Sequence, residues 1–311
     1  MPLFYRQCAL ALIATLGLGA ASQAQPVSTD PVGGFSRGAV LTIASDVKAE
    51  ETYHVHDMIE ITSDARLQWQ PQTFPVSRTL YSKAHDVRFG NEVWGLEFSF
   101  KPLRMITVGG RPVWYLVYRL NNTGTRLRPE LGEDGQFSAV AGTPQPVTFS
   151  GQFVLESHDR DTTGSRIYKA YLDRIVPEAL ELIRERELPQ GQLLTTPQLA
   201  GQPIEVSTDT EDNSVWGVAM WEQVDPEINF LSIYVGGLTN AYRWIDPPGA
   251  FQPGDPAGKG RRLVAKTLQL NFWRTGDEFA EHEREMRFGI PKGRADLYGV
   301  EEGVAYRWTF R

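Results

Sequence analysis

From Ala39 onward, apolar side chains recur at every second position, and this period of two constrains the fold more than any other feature of the chain. In VWGLEFSF, Trp94, Leu96, Phe98 and Phe100 point one way while Gly95, Glu97 and Ser99 point the other, as in a strand with one covered face. The alternation returns through Val147, Phe149, Phe153 and Leu155, through Leu268, Leu270 and Phe272, and at the end through Val304, Tyr306, Trp308 and Phe310. The run VWYLVY, Val113 to Tyr118, is apolar on both faces and is expected to be a central strand. Side chains spaced this way can be sealed only between facing layers, so the chain is expected to be all-β.

One segment reads as helical. Between Arg166 and Glu187, the residues Tyr168, Tyr171, Leu172, Ile175, Val176, Ala179, Leu180 and Ile183 recur at spacings of three and four and draw one stripe. Pro177 falls inside the stripe and lacks an amide hydrogen, which predicts a kink or two short helices meeting there. The polar side mixes Asp173, Arg174, Glu181, Glu185 and Arg186, which favours packing on the protein over lying on a membrane. Val93-Trp94-Gly95 recurs as Val215-Trp216-Gly217, Tyr118 as Tyr234 and Phe153 as Phe272, all at offsets of about 120 residues, the mark of a possible internal repeat. The expectation is two β-sandwich domains of immunoglobulin-like character, 39–165 and 188–311, possibly a duplication, joined by one amphipathic, Pro-kinked helix over 166–187.

The amino terminus carries a separate signal. MPLFYRQ supplies Arg6, residues 8 to 19 are free of charge, and Ser22-Gln23-Ala24 places small side chains ahead of a cut after Ala24. Residues 1–24 are therefore expected to be a signal peptide, with 25–38, rich in Pro, Gly, Ser and Thr, as a linker. The chain has 31 basic and 38 acidic residues; cleavage removes Arg6 and leaves 30 − 38 = −8. Cleavage also removes Cys8, the only cysteine, which excludes a disulfide, a thiol nucleophile and a cysteine zinc site from the mature chain. An acidic balance argues against general nucleic-acid binding, and no later stretch reaches the roughly 18 apolar residues of a membrane span. A periplasmic or extracellular location is expected.

Few constellations carry chemistry. His54 and His56 in YHVHD share one side of a strand and could hold a metal with Glu60, although spacing alone supplies no closed ligand set. Asp159, Asp161, Thr163 and Gly164 fit positions one, three, five and six of a calcium loop, but Ala170 stands where the bidentate Glu belongs. The same residues suit a polar turn capping the next helix. Glu281-His282-Glu283 lacks the second His of a zinc protease, Gly254 to Gly260 departs from a phosphate loop, and no G-x-S-x-G elbow occurs. Asp209 to Asn213 reads as a solvated acidic loop. Among the eight Trp residues, Trp94, Trp114 and Trp308 belong to inward faces, while Trp221, Trp244 and Trp273 are the candidates for an exposed sugar platform.

The runs VWGLEFSFKPLRMITV, VWYLVYRLNNTG, YKAYLDRIVP, VDPEINFLSIYVGGLTNAYRW and TLQLNFWRTGDEF resemble an uncharacterised family of exported proteins from planctomycete-type bacteria. The resemblance runs from about residue 39 to about residue 290 and implies export and an all-β build, with no activity, cofactor or site residue to carry over. No catalytic residue or cofactor is assigned; the motifs admit calcium at Asp159, Asp161 and Thr163 and a metal ion at His54 and His56. With no convergent acid, base or nucleophile, the expected function is an exported, non-catalytic binding or structural module whose partner is a protein or glycan of the cell envelope. The alternatives are an exported hydrolase acting on glycans with carboxylates from separate loops, and a calcium-stabilised scaffold.

Overall fold

Strand is the dominant element of the computed structural model, which describes residues 40–55, 88–132, 137–250, 259–274 and 286–311. The expected signal peptide, the linker 25–38, His56, Glu60 and the Glu281–Glu283 motif lie outside the described residues. The first of two large sheets runs in the order Leu41–Ile43, Glu97–Phe100, Arg111–Asn121, Val215–Glu222, Leu193–Thr195, with Arg104–Val108 also on Arg111–Asn121. The second runs Ala170–Leu172, Gln152–Ser157, Phe230–Gly236, Arg262–Trp273, Tyr242–Ile245, and Arg287–Phe288 and Tyr306–Phe310 complete it along Arg262–Trp273. Small sheets flank them, among them Val93–Trp94 with Arg126–Leu131 and Phe137–Ala141.

The period-two residues do what their spacing requires. Phe98, Phe100, Trp114, Leu116 and Tyr118 of the first sheet share one core with Phe153, Leu155, Ile233, Leu268, Leu270 and Phe272 of the second. The Tyr118 and Phe153 rings lie 4.6 Å apart, and Phe100 meets Phe272 edge-on at 6.3 Å. Each such side chain contributes about 1.5–3 kcal/mol by leaving water. The central strand is buried on both faces, as VWYLVY demands: Val113, Tyr115 and Val117 look away from the shared core and meet Val176, Ala179 and Ile183. A helix thus lies on the outer face of the first sheet.

That helix is Pro177–Glu187, shorter than expected and not kinked, with Pro177 in its first turn. A proline opens a helix without loss because the first amide has no intrahelical acceptor, and it drives the residue before it out of the helical region. Residues 166–176 are therefore not helical, and Ala170–Leu172 is a strand. Tyr168 and Leu172, placed on the buried stripe by spacing, are each 60% exposed.

The expected division into domains 39–165 and 188–311 is not what forms. Val215–Glu222 pairs along its length with Arg111–Asn121, from Val215 opposite Leu120 to Glu222 opposite Val113, and Phe230–Gly236 pairs with Gln152–Ser157. Both sheets therefore draw on both halves, and the described residues belong to one compact unit. The two Val-Trp-Gly copies occupy different settings. A Cβ on Gly95 would stand 2.7 Å from Val47 Cγ2, whereas one on Gly217 would stand 2.6 Å from Leu199 Cδ1. Each glycine serves close approach, but to unrelated neighbours.

Candidate functional site

The second sheet ends on Ala170–Leu172, which among the described residues pairs only with Gln152–Ser157. Ser157 N–H donates to Lys169 O at 2.9 Å and Asp173 N–H donates to Phe153 O at 3.1 Å. By antiparallel alternation, Lys169, Tyr171 and Asp173 turn their backbone groups into the sheet, and Ala170 and Leu172 turn theirs outward. The exposed apolar side chains Ile167, Tyr168, Leu172 and Ile175 flank this edge. Open edges are ordinarily blunted by charge, proline or a covering segment, because their free N–H and C=O groups template pairing with another chain.

The strand stops where Asp173 and Arg174 cross to the first sheet. Arg174 N–H donates to Met220 O at 2.9 Å, and Asp173 Oδ1 accepts Met220 N–H at 2.8 Å. Beside this crossing lies an open cleft of about 260 Å³, bounded by Gln152, Leu172, Asp173, Arg174, Ile175 and Pro197 among others. On its wall Asp173 Oδ2 accepts the Thr196 hydroxyl, whose oxygen is 3.4 Å from Tyr118 Oη. Burial lifts the Asp173 carboxyl above the usual carboxylate range, and the hydrogen bonds from Thr196 and from the Met220 and Arg174 amides oppose that rise. Arg166 stands 3.6 Å from Glu156 and Lys169 pairs with Asp225, but the Arg174 guanidinium has no ion pair or hydrogen bond among the described residues. Asp173 is the one carboxylate lining the cleft, and both its oxygens are engaged; glycoside hydrolysis needs a pair about 5–10 Å apart.

The residues picked out in the sequence are not brought together. His54 sits on Tyr53–Val55 opposite Phe89, and its companion His56 is outside the described residues. Asp159 accepts Asn229 N–H at 3.2 Å, whereas Asp161 Oδ1 accepts Thr163 N–H at 2.8 Å, the Thr163 hydroxyl at 2.6 Å and Ser165 N–H at 2.9 Å. Gly164 completes the loop at φ 82°. The described geometry is that of a polar turn whose two carboxylates accept different backbone amides; it caps no helix, since extended chain follows. Among the described residues no group of three or more His, Cys, Asp or Glu is placed to hold a metal ion. Trp221, expected to be exposed, is fully buried, and the rings of Trp244 and Trp273 are covered by Arg261 at 4.9 Å and Arg287 at 5.0 Å. Cation–π stacking occupies one face of each of these two rings.

A buried polar network escaped the sequence. His158 Nε2 lies 2.7 Å from Ser232 Oγ, a spacing that suggests a nucleophile and its base. The proton count says otherwise. Ser232 donates to Asn271 Oδ1 at 2.8 Å and accepts from Gln269 Nε2 at 3.2 Å, so His158 must donate through Nε2–H. His158 Nδ1 is then an acceptor without a partner, and Ser232 is fully buried beneath the segment that carries Tyr298. Burial first, then Arg166 and Arg307, push the His158 pKa down to about 3. Ser232, Gln269 and Asn271 alternate with core residues like any solvated strand face, so only the fold shows that Tyr298 covers them.

No family model, curated protein or solved structure matches the chain. Among the described residues, no helix is long and apolar enough to cross a membrane.

Proposed function

We propose that the protein is an exported, non-catalytic binding module of the cell envelope, periplasmic or extracellular, which holds another envelope protein at the edge Ala170–Leu172 and the adjoining cleft. The observation that carries this reading is a sheet edge whose outward backbone groups meet no other strand among the described residues, flanked by Tyr168 and Leu172 at 60% exposure. The resemblance to exported planctomycete-type proteins and the pattern of residues 1–24 support export. The two sheets about one core are read as a sandwich of immunoglobulin-like character, a build that leaves edges and loops as its contact surfaces. Duplication gains no support from the unlike settings of Gly95 and Gly217.

The test places a photo-crosslinking residue at Leu172 or, as control, at exposed Glu178 on the helix, in cells that make the full chain. Adducts to one envelope protein from position 172 and none from 178 are expected; equal labelling from both positions overturns the reading. Amino-terminal sequencing of the exported chain should begin at Gln25, and an intact Met1 in a cytosolic pool defeats the export claim.

A further inference from the structure

We infer that the occupant of this edge is an extended polypeptide segment that adds as a further strand to the second sheet, seats an apolar side chain in the cleft and presents an acidic side chain to Arg174. The inference rests on the binding reading above and names its ligand chemistry. Backbone groups at Ala170 and Leu172 face outward two residues apart, the repeat of an extended chain; a helix satisfies its own backbone and has nothing to offer them. Exposed Leu172 and Ile175 border the cleft together with Pro197, so an apolar side chain finds apolar walls there.

Charge selects the next group. Arg166 and Lys169 already face Glu156 and Asp225, whereas Arg174, at the cleft, has no ion pair among the described residues. A guanidinium pairs with a carboxylate through parallel N–H donors, so an acidic residue beside the apolar one completes the site. The added strand has a defined end. Arg174 N–H is taken by Met220 O, so pairing cannot continue past Leu172, which limits the register a partner can adopt.

The probe is a set of capped octapeptides in which Val, Leu or Phe alternates with Thr and one Thr is replaced by Glu, added to the full-length mature chain. Hydrogen exchange at the Ala170 and Leu172 amides is expected to slow with peptide present. Exchanging Glu for Gln should weaken binding roughly tenfold, the worth of one charge-assisted hydrogen bond, and Arg174→Gln should abolish that preference. Ala170→Pro removes an outward donor and no inner ladder bond, so it should block peptide protection while the thermal midpoint holds. Unchanged exchange at both amides at millimolar peptide overturns the inference. If crosslinks from position 172 persist in Ala170→Pro, the binding module stands and strand addition falls; if those crosslinks are absent in the parent, both fall. A dimer in sedimentation that Leu172→Asp dissociates overturns the inference in favour of a second copy of this chain.

Discussion

The outer faces of the two sheets are both covered, by opposite chemistry. On the first sheet the helix Pro177–Glu187 ends in one carboxylate, Glu187, which accepts Tyr115 Oη–H and Arg104 Nη1–H, each at 2.8 Å, with Lys101 Nζ 3.6 Å away. On the second sheet the cover over Ser232 is mostly neutral, with Arg307 Nε donating to Gln269 Oε1 at 2.7 Å. Tyr298 donates to Phe272 O at 2.8 Å, packs its ring 4.9 Å from His158, and closes over Ser232, Gln269 and Asn271, while Asn271 Nδ2 donates to Val304 O at 3.1 Å. The charged cover concentrates its dependence on one residue, and the neutral one spreads it over many hydrogen bonds.

The largest effect expected from breaking this contrast is at Glu187. Its removal in Glu187→Ala leaves Arg104 and Lys101, with side chains only 12% and 11% exposed, without a counter-charge, and it strips the acceptor from Tyr115. Breaking a buried pair from one side costs about 3–5 kcal/mol, which urea unfolding should register as a lower midpoint at unchanged slope. Glu187→Gln keeps an acceptor and should lose less. A cost below about 1 kcal/mol for the alanine variant would show that the helix is held by Ala179 and Ile183 alone.

The neutral cover answers to pH instead. Folded His158 resists protonation down to about 3, while in the unfolded chain it takes a proton near 6.5. Its depressed pKa therefore stabilises the fold fully above about pH 6.5, and that stability is lost as pH falls toward 3, at about 1.4 kcal/mol per unit, or about 2 kcal/mol by pH 5. Asp159 and Asp173, raised by burial, act with the opposite sign, so the comparison must be with His158→Gln. Unfolding free energies between pH 7 and 5 should fall more steeply in the parent than in the variant; parallel curves would show that His158 is solvated. A smaller loss, about 1–2 kcal/mol at pH 7, is expected for Ser232→Ala, because the His158 and Gln269 donors lose their acceptor.

How legible these features were differs by kind. The shared core was legible, since Phe98, Phe153, Leu268 and Leu270 are buried on the faces their alternation assigns, and Val113–Tyr118 is central for the reason its two apolar faces give. What alternation cannot encode is which strands meet. Arg111–Asn121 and Val215–Glu222 pair across about a hundred residues of chain, a choice set by tertiary packing, so two domains were expected where the halves interleave. The segment 166–176 misled for a local reason: its three-and-four spacing is helical, but Pro177 begins a helix more readily than it interrupts one. The Asp159 loop was legible as a turn and as a calcium site alike, and the turn is what the amides of Thr163, Ser165 and Asn229 display. The candidate edge was hidden behind that mistaken helix.

The smallest expected effect on stability falls at that edge, and it sharpens the contrast between sealed faces and open rim. Leu172 is 60% exposed and its outward backbone groups meet no other strand among the described residues, so Leu172→Asp should shift the unfolding free energy by less than about 0.5 kcal/mol. Phe153, one strand inward and 1% exposed, should cost about 3–5 kcal/mol when cut to alanine, because its ring closes the contacts to Tyr118 and Phe98. If Leu172→Asp instead cost as much as a core truncation, Leu172 would be supporting the sheet, and the edge would be a structural margin rather than a surface kept open. A protein that keeps Tyr168, Leu172 and Ile175 exposed on and beside an edge strand accepts an aggregation hazard. That hazard is offset only if the side chains have somewhere to go, so a neutral stability change in Leu172→Asp with lost peptide protection at the Ala170 amide is the combination that separates a contact surface from a poorly protected edge.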